Sequence, residues 1–547
     1  MTSGLPHLAL ALDTVRVHNA ESGGEPQLLV GGSIAAHVPA AVLPASAVPA
    51  SVVPGSVVPA SVELVGSRLV LHADVEIDGD RWSAYIPLLT SRWGGPRVAP
   101  PSGEYRLRIM GTDAAVLTSA TSTTPPQEPT LVAGVCLIEF SSAASNPVGA
   151  TDATSGGPSD ALTVTFSAPL TASERGPAQQ ARLEAQYHAS KPTPLNAVFF
   201  ESFYGQNASC NPRALDREIA RTHPSVTRYW SVVDASVEVP AGGIALIEGS
   251  EEWWRVRAGA RLLVVNDWLR KRFRRRAHQT VLQTWHGTPL KRIALTRRGL
   301  RPRAALATLR ERARWDILLS QNTYSTHFFR TAYAFAHPWE EGYPRNDVLA
   351  GDAGAERGLE LRDRLGVPRD ATVVLYAPTW RDDHPEEVDQ LDVAAFAREL
   401  GPGYFTLIRG HSRTLRAAQD VHAANVLDVT SYPDVADLFL VADALVTDYS
   451  SAMFDFTVTG KPIYFFTPDL DRYRDEVRGF YFDLLAVSPG PVSESAEDLV
   501  ANLRSPDAAR ERFAHRYAAW VARFNSLDDG HASERVVRRL EAHGAIG

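Results

Sequence analysis

The chain has 547 residues, 44% hydrophobic and 22% charged, with a formal net charge of −8. A single core stops growing near about 250–300 residues, so two or three domains are expected, and this balance excludes fibrous, coiled-coil and wholly disordered chains. No run approaches the roughly 20 apolar residues of a membrane span, no signal peptide is expected, and two cysteines, Cys136 and Cys210, are too few for a disulfide framework or a cysteine metal site and fit a reducing cytoplasm.

Prolines at 39, 44, 49, 54 and 59 recur every fifth residue. That spacing prevents a helix and disfavours a central strand, so residues 31–61 are expected to form an extended insert. Period-two patterns follow at Arg68 to Ile77, Tyr105 to Ile109, Leu131 to Phe140 and Leu162 to Phe166. They predict a small antiparallel sandwich, giving a β-rich accessory domain over 1–170 with the repeat insert at 31–61.

The pattern then changes to strands alternating with helices. Apolar strands are expected at Ala197 to Phe200, Leu262 to Val265, Val281-Leu282 and Ile317 to Leu319, with a helix opening at Asn211-Pro212-Arg213. A second series comprises Thr372 to Tyr376, Phe405 to Ile408, Val426-Leu427, Ala444 to Val446 and Ile463 to Phe466. The fold class is therefore α/β, with two Rossmann-type domains over 190–365 and 366–547 facing a cleft.

The charge is uneven. Between Leu269 and Arg314, fifteen Lys and Arg stand against one acid, Glu311. An anionic partner or a plain solvated helical face would explain this island. With few aromatics and no recognisable motif in it, nucleic acid is not expected as a partner.

Candidate chemistry gathers at strand ends. Thr284-Trp285-His286-Gly287-Thr288-Pro289 follows a strand, and its turn would present His286 to a cleft, where imidazole can take a proton near pH 7. A core histidine capping the turn is the competing reading. Thr447-Asp448-Tyr449-Ser450-Ser451 ends a strand and opens a helix, which suits either a phosphate cradle or simple capping by Ser450. Arg409 and His411 at a third strand end can reach a diphosphate. Thr379 and Arg381 lie at a fourth, and Pro344-Arg345-Asn346-Asp347 follows a Gly-Tyr turn. No P-loop, no GxGxxG after the first strand, no HExxH and no paired cysteine ligands occur, so no metal site is expected.

These stretches are similar to a known family. FESFYG at 200–205 with Asn211-Pro212, TWHGTPLK at 284–291, SQNTYSTHFF at 320–329 and GYPRND at 342–347 come first. YAPTWR at 376–381, RGH at 409–411, VTDYSSAMFDF at 446–456, GKPI at 460–463 and DDGHAS at 528–533 complete an ordered set. Over residues 195–540 the chain resembles the CDP-glycerol glycerophosphotransferases, the teichoic acid and capsule polymerases. The Pro-Ala-Ser-Val repeat departs from the family.

The resemblance implies a glycosyltransferase-B-like fold. It also implies transfer of glycerol phosphate or ribitol phosphate from a CDP-polyol to a hydroxyl of a teichoic acid-like or capsule polymer, or its lipid-linked primer, with release of CMP. It places the base on His286, a second histidine on His411, and donor contacts on Ser450, Ser451 and Asp455, with Thr379, Arg381 and Arg409 beside them. No cofactor is expected for bond formation, and the sequence does not indicate Mg²⁺. A nucleotide-sugar transferase and an inactive polymer-binding protein are the alternatives. The basic stretch with Arg297, Arg298, Arg301 and Arg303 is expected to meet an anionic membrane or the polymer, placing the protein peripherally on the cytoplasmic face of the membrane.

Overall fold

The computed structural model describes residues 9–18, 25–35, 59–111, 116–117, 119–121, 126, 128–141, 162–271, 273–351, 353–379, 390–410, 425–472 and 479–547. They group into two compact units. The first comprises residues up to Ser173 with Asp234–Ser236, and the second holds the remainder from Glu174.

The first unit is a sandwich. One sheet runs Ser119–Thr121, Ala9–His18, Gln27–Ala35, Arg81–Pro87, Glu76–Asp78. The other runs Thr130–Val132, Cys136–Ser141, Thr163–Ser167, Gly103–Gly111, Pro59–Gly66, Val70–Asp74. Pairing is antiparallel except between Ala9–His18 and Ser119–Thr121. Alternation does the work: Arg81–Pro87 buries Trp82, Ala84 and Ile86, and these meet Val62, Leu64, Ile109 and Phe166 of the other sheet in one core. Two details differ from the sequence reading. The expected strand at 68–77 is interrupted at Val75, and its two parts join different sheets. The expected insert at 31–61 is strand at both ends: Gly31–Ala35 pairs on two sides, and Pro59 opens a strand, the position where a missing N–H costs least. Residues 36–58 lie outside the described residues.

The second unit contains two parallel sheets. The first is built from β1 (Leu195–Glu201), β2 (Thr227–Val232), β3 (Ile244–Ile247), β4 (Ala260–Val265), β5 (Thr280–Gln283), β6 (Ile317–Ser320) and β7 (Trp339–Glu340), in the order β3-β2-β1-β4-β5-β6-β7. The second uses β8 (Thr372–Ala377), β9 (Tyr404–Ile408), β10 (Val426–Asp428), β11 (Ala444–Thr447), β12 (Ile463–Phe466) and β13 (Val492–Ser493), in the order β10-β9-β8-β11-β12-β13. The central strands are buried on both faces, which is why they read as unbroken apolar runs. Each sheet reverses its winding once, between β1 and β4 and between β8 and β11. Those switch points open crevices at the carboxyl edges.

Five helices bear on the site: α1 (Cys210–Thr222), α2 (Pro302–Arg312), α3 (Val435–Val441), α4 (Ala452–Phe456) and α5 (Ala532–Ala542). The division expected at residue 366 is not clean, because α5 returns to the first sheet. Val536, Val537 and Leu540 pack with Val198, Phe200 and Trp230, each full burial contributing about 1.5–3 kcal/mol. Asp347 caps this helix, accepting from the backbone N–H of Ala532 (2.9 Å) and Ser533 (2.8 Å). The GYPRND and DDGHAS stretches are thereby joined. Lys461 of GKPI is also structural: its ammonium donates to the carbonyls of Phe439, Leu440 and Ala442 at the end of α3.

Candidate active site

His286 follows β5, the neighbour of β4, and its ring reaches the ends of β4 and β1 at the switch point of the first sheet. Its turn is held open from behind. Trp285 adopts a left-handed backbone (φ 54°), its N–H donates to Gln283 Oε1 (2.9 Å), and Asn211 Nδ2 donates to its carbonyl (3.1 Å). A left-handed tryptophan costs of order 1–3 kcal/mol and persists because these contacts over-determine it. The strain is therefore at Trp285, one residue before the histidine, and not at Gly287 as the turn residues suggest.

The imidazole of His286 stacks on Trp285 (centroids 4.7 Å apart, 20° between planes) and lies beside Phe203 (5.5 Å). Its Nδ1 is 2.7 Å from the carbonyl of Asn266, at the end of β4. A carbonyl only accepts, so Nδ1 carries the proton and Nε2 keeps its lone pair. Burial pushes the histidine pKa below its ordinary value, against the pull of Asp267, which keeps the ring neutral at pH 7. This is the protonation state of a general base.

The backbone of the same turn is tied to the second sheet. Arg345 donates from one guanidinium nitrogen to the His286 carbonyl (3.0 Å) and to Cys210 Sγ (3.2 Å), and from another to Asp455 Oδ2 (2.5 Å). Asn346 Nδ2 takes Asp455 Oδ1 (3.0 Å). Arg345 and Asp455 are both buried. Burial opposes the Arg345 charge, but Asp455 outweighs it and holds the guanidinium cationic. Asp455, read from the sequence as a donor contact, instead spends both oxygens on Arg345 and Asn346. Thr288 extends the seam. Its hydroxyl donates to Gln321 Oε1 (2.5 Å), while Gln321 Nε2 donates to Asp528 Oδ2 (2.7 Å).

Gly287 explains how the halves approach. A Cβ placed there would lie 2.7 Å from Ser451 Oγ and 3.0 Å from Ser451 Cβ. The His286 turn is thus against the start of α4, which only glycine permits. Ser450 Oγ accepts weakly from Ala452 N–H (3.3 Å), and Ser451 makes no side-chain capping bond. At the second switch point Thr379 N–H donates to Asp448 Oδ1 (2.8 Å), bridging the ends of β8 and β11. Arg409 ends β9. It donates to the Tyr432 carbonyl (2.7 Å), and burial lowers its pKa to about 10, leaving it cationic at neutral pH.

His286, Ser450, Ser451, Thr379 and Arg409 therefore converge on the facing carboxyl edges of the two sheets. Arg381 and His411 lie outside the described residues. Arg297, Arg298, Arg301 and Arg303 are exposed beside and on α2 and take no part in this convergence. Among the described residues, Asn211 and Arg345 join the site from stretches already read as motifs, with no role assigned to them there, and Asn266 and Asp267 join it without having been singled out in the sequence. Asn266-Asp267 directly after an apolar strand was the available signal for two of them.

Two doubly wound sheets whose switch points meet over one histidine-bearing turn define a glycosyltransferase-B-like fold. Residues 183–542 match the CDP-glycerol:poly(glycerophosphate) glycerophosphotransferase family, and the chain belongs to it. It is 36% identical over 366 residues to a teichoic acid poly(glycerol phosphate) polymerase of Bacillus subtilis, covering 64% of this chain and 49% of that protein. The chain thus spans about half the length of that relative. A teichoic acid glycerol-phosphate transferase of Staphylococcus aureus is 35% identical over 376 residues, 64% of this chain and 94% of that one. The solved structure of the wall teichoic acid polymerase TagF superposes with a TM-score of 0.63 at 32% identity, covering 67% of this chain and 94% of that chain.

Proposed function

We propose that the protein transfers a polyol phosphate, glycerol phosphate or ribitol phosphate, from a CDP-polyol to a hydroxyl of a teichoic acid-like or capsule polymer or its lipid-linked primer. The observation that carries this reading is His286, whose Nε2 is left deprotonated because Nδ1 donates to the Asn266 carbonyl, on a turn whose next residue, Gly287, lies against Ser451 across the seam. The acceptor hydroxyl gives its proton to Nε2 as its oxygen attacks the distal phosphorus. The bond from that phosphorus to the bridging oxygen breaks, and CMP leaves. Such transfer needs positioning and charge neutralisation more than covalent chemistry. Arg409 and the hydroxyls of Ser450 and Ser451 are assigned to the donor phosphates, with His411, Thr379 and Arg381 beside them. Bond formation by these groups requires no added cofactor in this proposal.

The peripheral membrane location is part of the proposal. No helix among the described residues is long and apolar enough to cross a membrane. Helix α2 buries a polar face through Thr308 and Glu311 and exposes Leu306 and Leu309 among Arg301, Arg303 and Arg310. An outward face of short apolar and basic side chains suits the anionic cytoplasmic surface that bears a lipid-linked acceptor.

The test supplies purified protein with CDP-glycerol, CDP-ribitol or a nucleotide sugar together with a short synthetic polyol-phosphate acceptor, and sizes the product. Extension with a CDP-polyol alone is expected. Extension with only the nucleotide sugar would replace the proposal by a glycosyltransferase.

A further inference from the structure

Beside the site lies a cavity of about 380 Å³ whose wall is one face of α1. Arg213, Arg217 and Arg221 stand on that face at successive i, i+4 positions, and Arg345 forms part of the lining. The cavity therefore begins at the guanidinium that holds the His286 carbonyl and runs outward along the helix.

Its charges are unequally satisfied. Every acid in the lining is already engaged. Asp347 caps α5, and Asp434 accepts from Ala436 N–H. Asp437 holds Arg357, Glu218 holds Arg221, and Glu534 holds Arg538. The guanidiniums of Arg213 and Arg217, by contrast, make no hydrogen bond and no close ion pair among the described residues, feeling Asp216, Asp434 and Asp437 only at longer range, and Arg213 Nε is buried without an acceptor. A guanidinium left with an unmet buried N–H beside a cavity is a docking group for an anion. Desolvation first, then the neighbouring Arg213 and Arg357, lower the Arg217 pKa, and Asp434 and Asp437 offset this only in part.

We infer that this cavity is a second phosphate-binding site, in which Arg213 and Arg217 hold an internal phosphodiester of the acceptor polymer while its terminal hydroxyl reaches His286. The inference rests on the transfer reading above. Consecutive arginines on α1 are about 6 Å apart along the axis, on the scale of one repeat of a short polyol-phosphate chain. They belong to the half that carries the base, opposite the serines and Arg409, which favours acceptor over donor. Phosphate from the CDP moiety is the rival source of the same chemistry.

The experiment compares wild type with Arg217→Ser and with Arg213→Ser/Arg217→Ser. Two acceptors are used: a trimer of glycerol phosphate, and a glycerol-terminated primer without an internal phosphodiester. Thermal melting checks folding, and the exposed Arg217 single variant keeps the test alive should the double variant fail to fold. Loss of charge-assisted bonds is expected to raise KM for the trimer roughly ten- to a hundredfold, with KM for CDP-glycerol and turnover of the primer unchanged. Calorimetric binding of the trimer alone should weaken equally. That measurement stands even if wild type transfers nothing, so failure of the transfer reading is seen separately. Equal trimer affinity in wild type and variants would overturn the inference, as would a rise confined to CDP-glycerol.

Discussion

The Arg345–Asp455 pair joins the two sheets, and its removal should show both in stability and in turnover. The side chains are 8% and 4% exposed, and their nitrogen–oxygen distance is 2.5 Å. In Arg345→Met the Asp455 carboxylate keeps only Asn346 as a partner. A buried ion stripped of its counter-ion costs about 3–5 kcal/mol. Asp455→Leu should cost about as much, since it strands the guanidinium. The double variant removes both charges together with their desolvation. It leaves unmet the His286 carbonyl and the Asn346 amide, each worth about 1–3 kcal/mol. We therefore expect the double variant to be no worse than either single one, a coupling of at least about 2 kcal/mol. Chemical denaturation followed by tryptophan fluorescence measures all four proteins. Turnover should fall in every variant that lacks Arg345, because the His286 turn loses its anchor. Strict additivity of the two single losses, or a cost below about 1 kcal/mol for Arg345→Met, would refute the reasoning.

His286→Ala should retain CDP-glycerol binding by calorimetry while transfer drops about 10²–10⁴-fold. In wild type the rate should hold through neutral pH and fall only under acid conditions, as the ring, whose pKa lies below its ordinary value, takes up a proton. Gly287→Ala places a Cβ against Ser451 and should cost about 1–3 kcal/mol with loss of turnover, and adding Ser451→Gly should recover part of the stability but not the turnover, since the donor-binding hydroxyl is lost. Burial raises the Asp528 pKa to about 6, above its ordinary 3.8, so the folded state binds that proton more readily. That stabilisation is complete below about pH 4 and lost as pH rises through 6, and Asp528→Asn should abolish this dependence, worth of order 1–3 kcal/mol in pH-resolved denaturation. Flotation should show binding to anionic vesicles that fades with salt and is lost when Arg297, Arg298, Arg301 and Arg303 become Ser. Equal binding to neutral vesicles would remove the membrane assignment.

The central strands were legible because burial on both faces leaves uninterrupted apolar runs, as in Leu262 to Val265 and Thr372 to Tyr376. Thr227–Val232 was missed because Arg228 breaks its pattern, and that arginine is satisfied by Asp216 at 2.7 Å, a partner sequence alone does not reveal. His286 was legible because a strand end, a glycine and a proline surround it. Asn266 escaped notice because it holds His286 through its main-chain carbonyl, which every residue possesses. Asp455 was misplaced because residue type shows that a carboxylate is present but not that Arg345, 110 positions away, has claimed it.

The return of α5 has a consequence for how the chain reaches its native state. The core of the first sheet contains Val536, Val537, Leu540 and Ile546 beside Val198 and Trp230, residues more than 300 positions apart. Closing so long a loop precedes any reward from the contacts it allows, so this half has a high contact order and completes late. Cutting the polypeptide between the sheets would leave the first with an exposed apolar face and the second with an unpacked amphipathic helix. The two Rossmann-type halves are separable in architecture but interdependent in folding, and a fragment meant to isolate the base-bearing half must carry α5 with it.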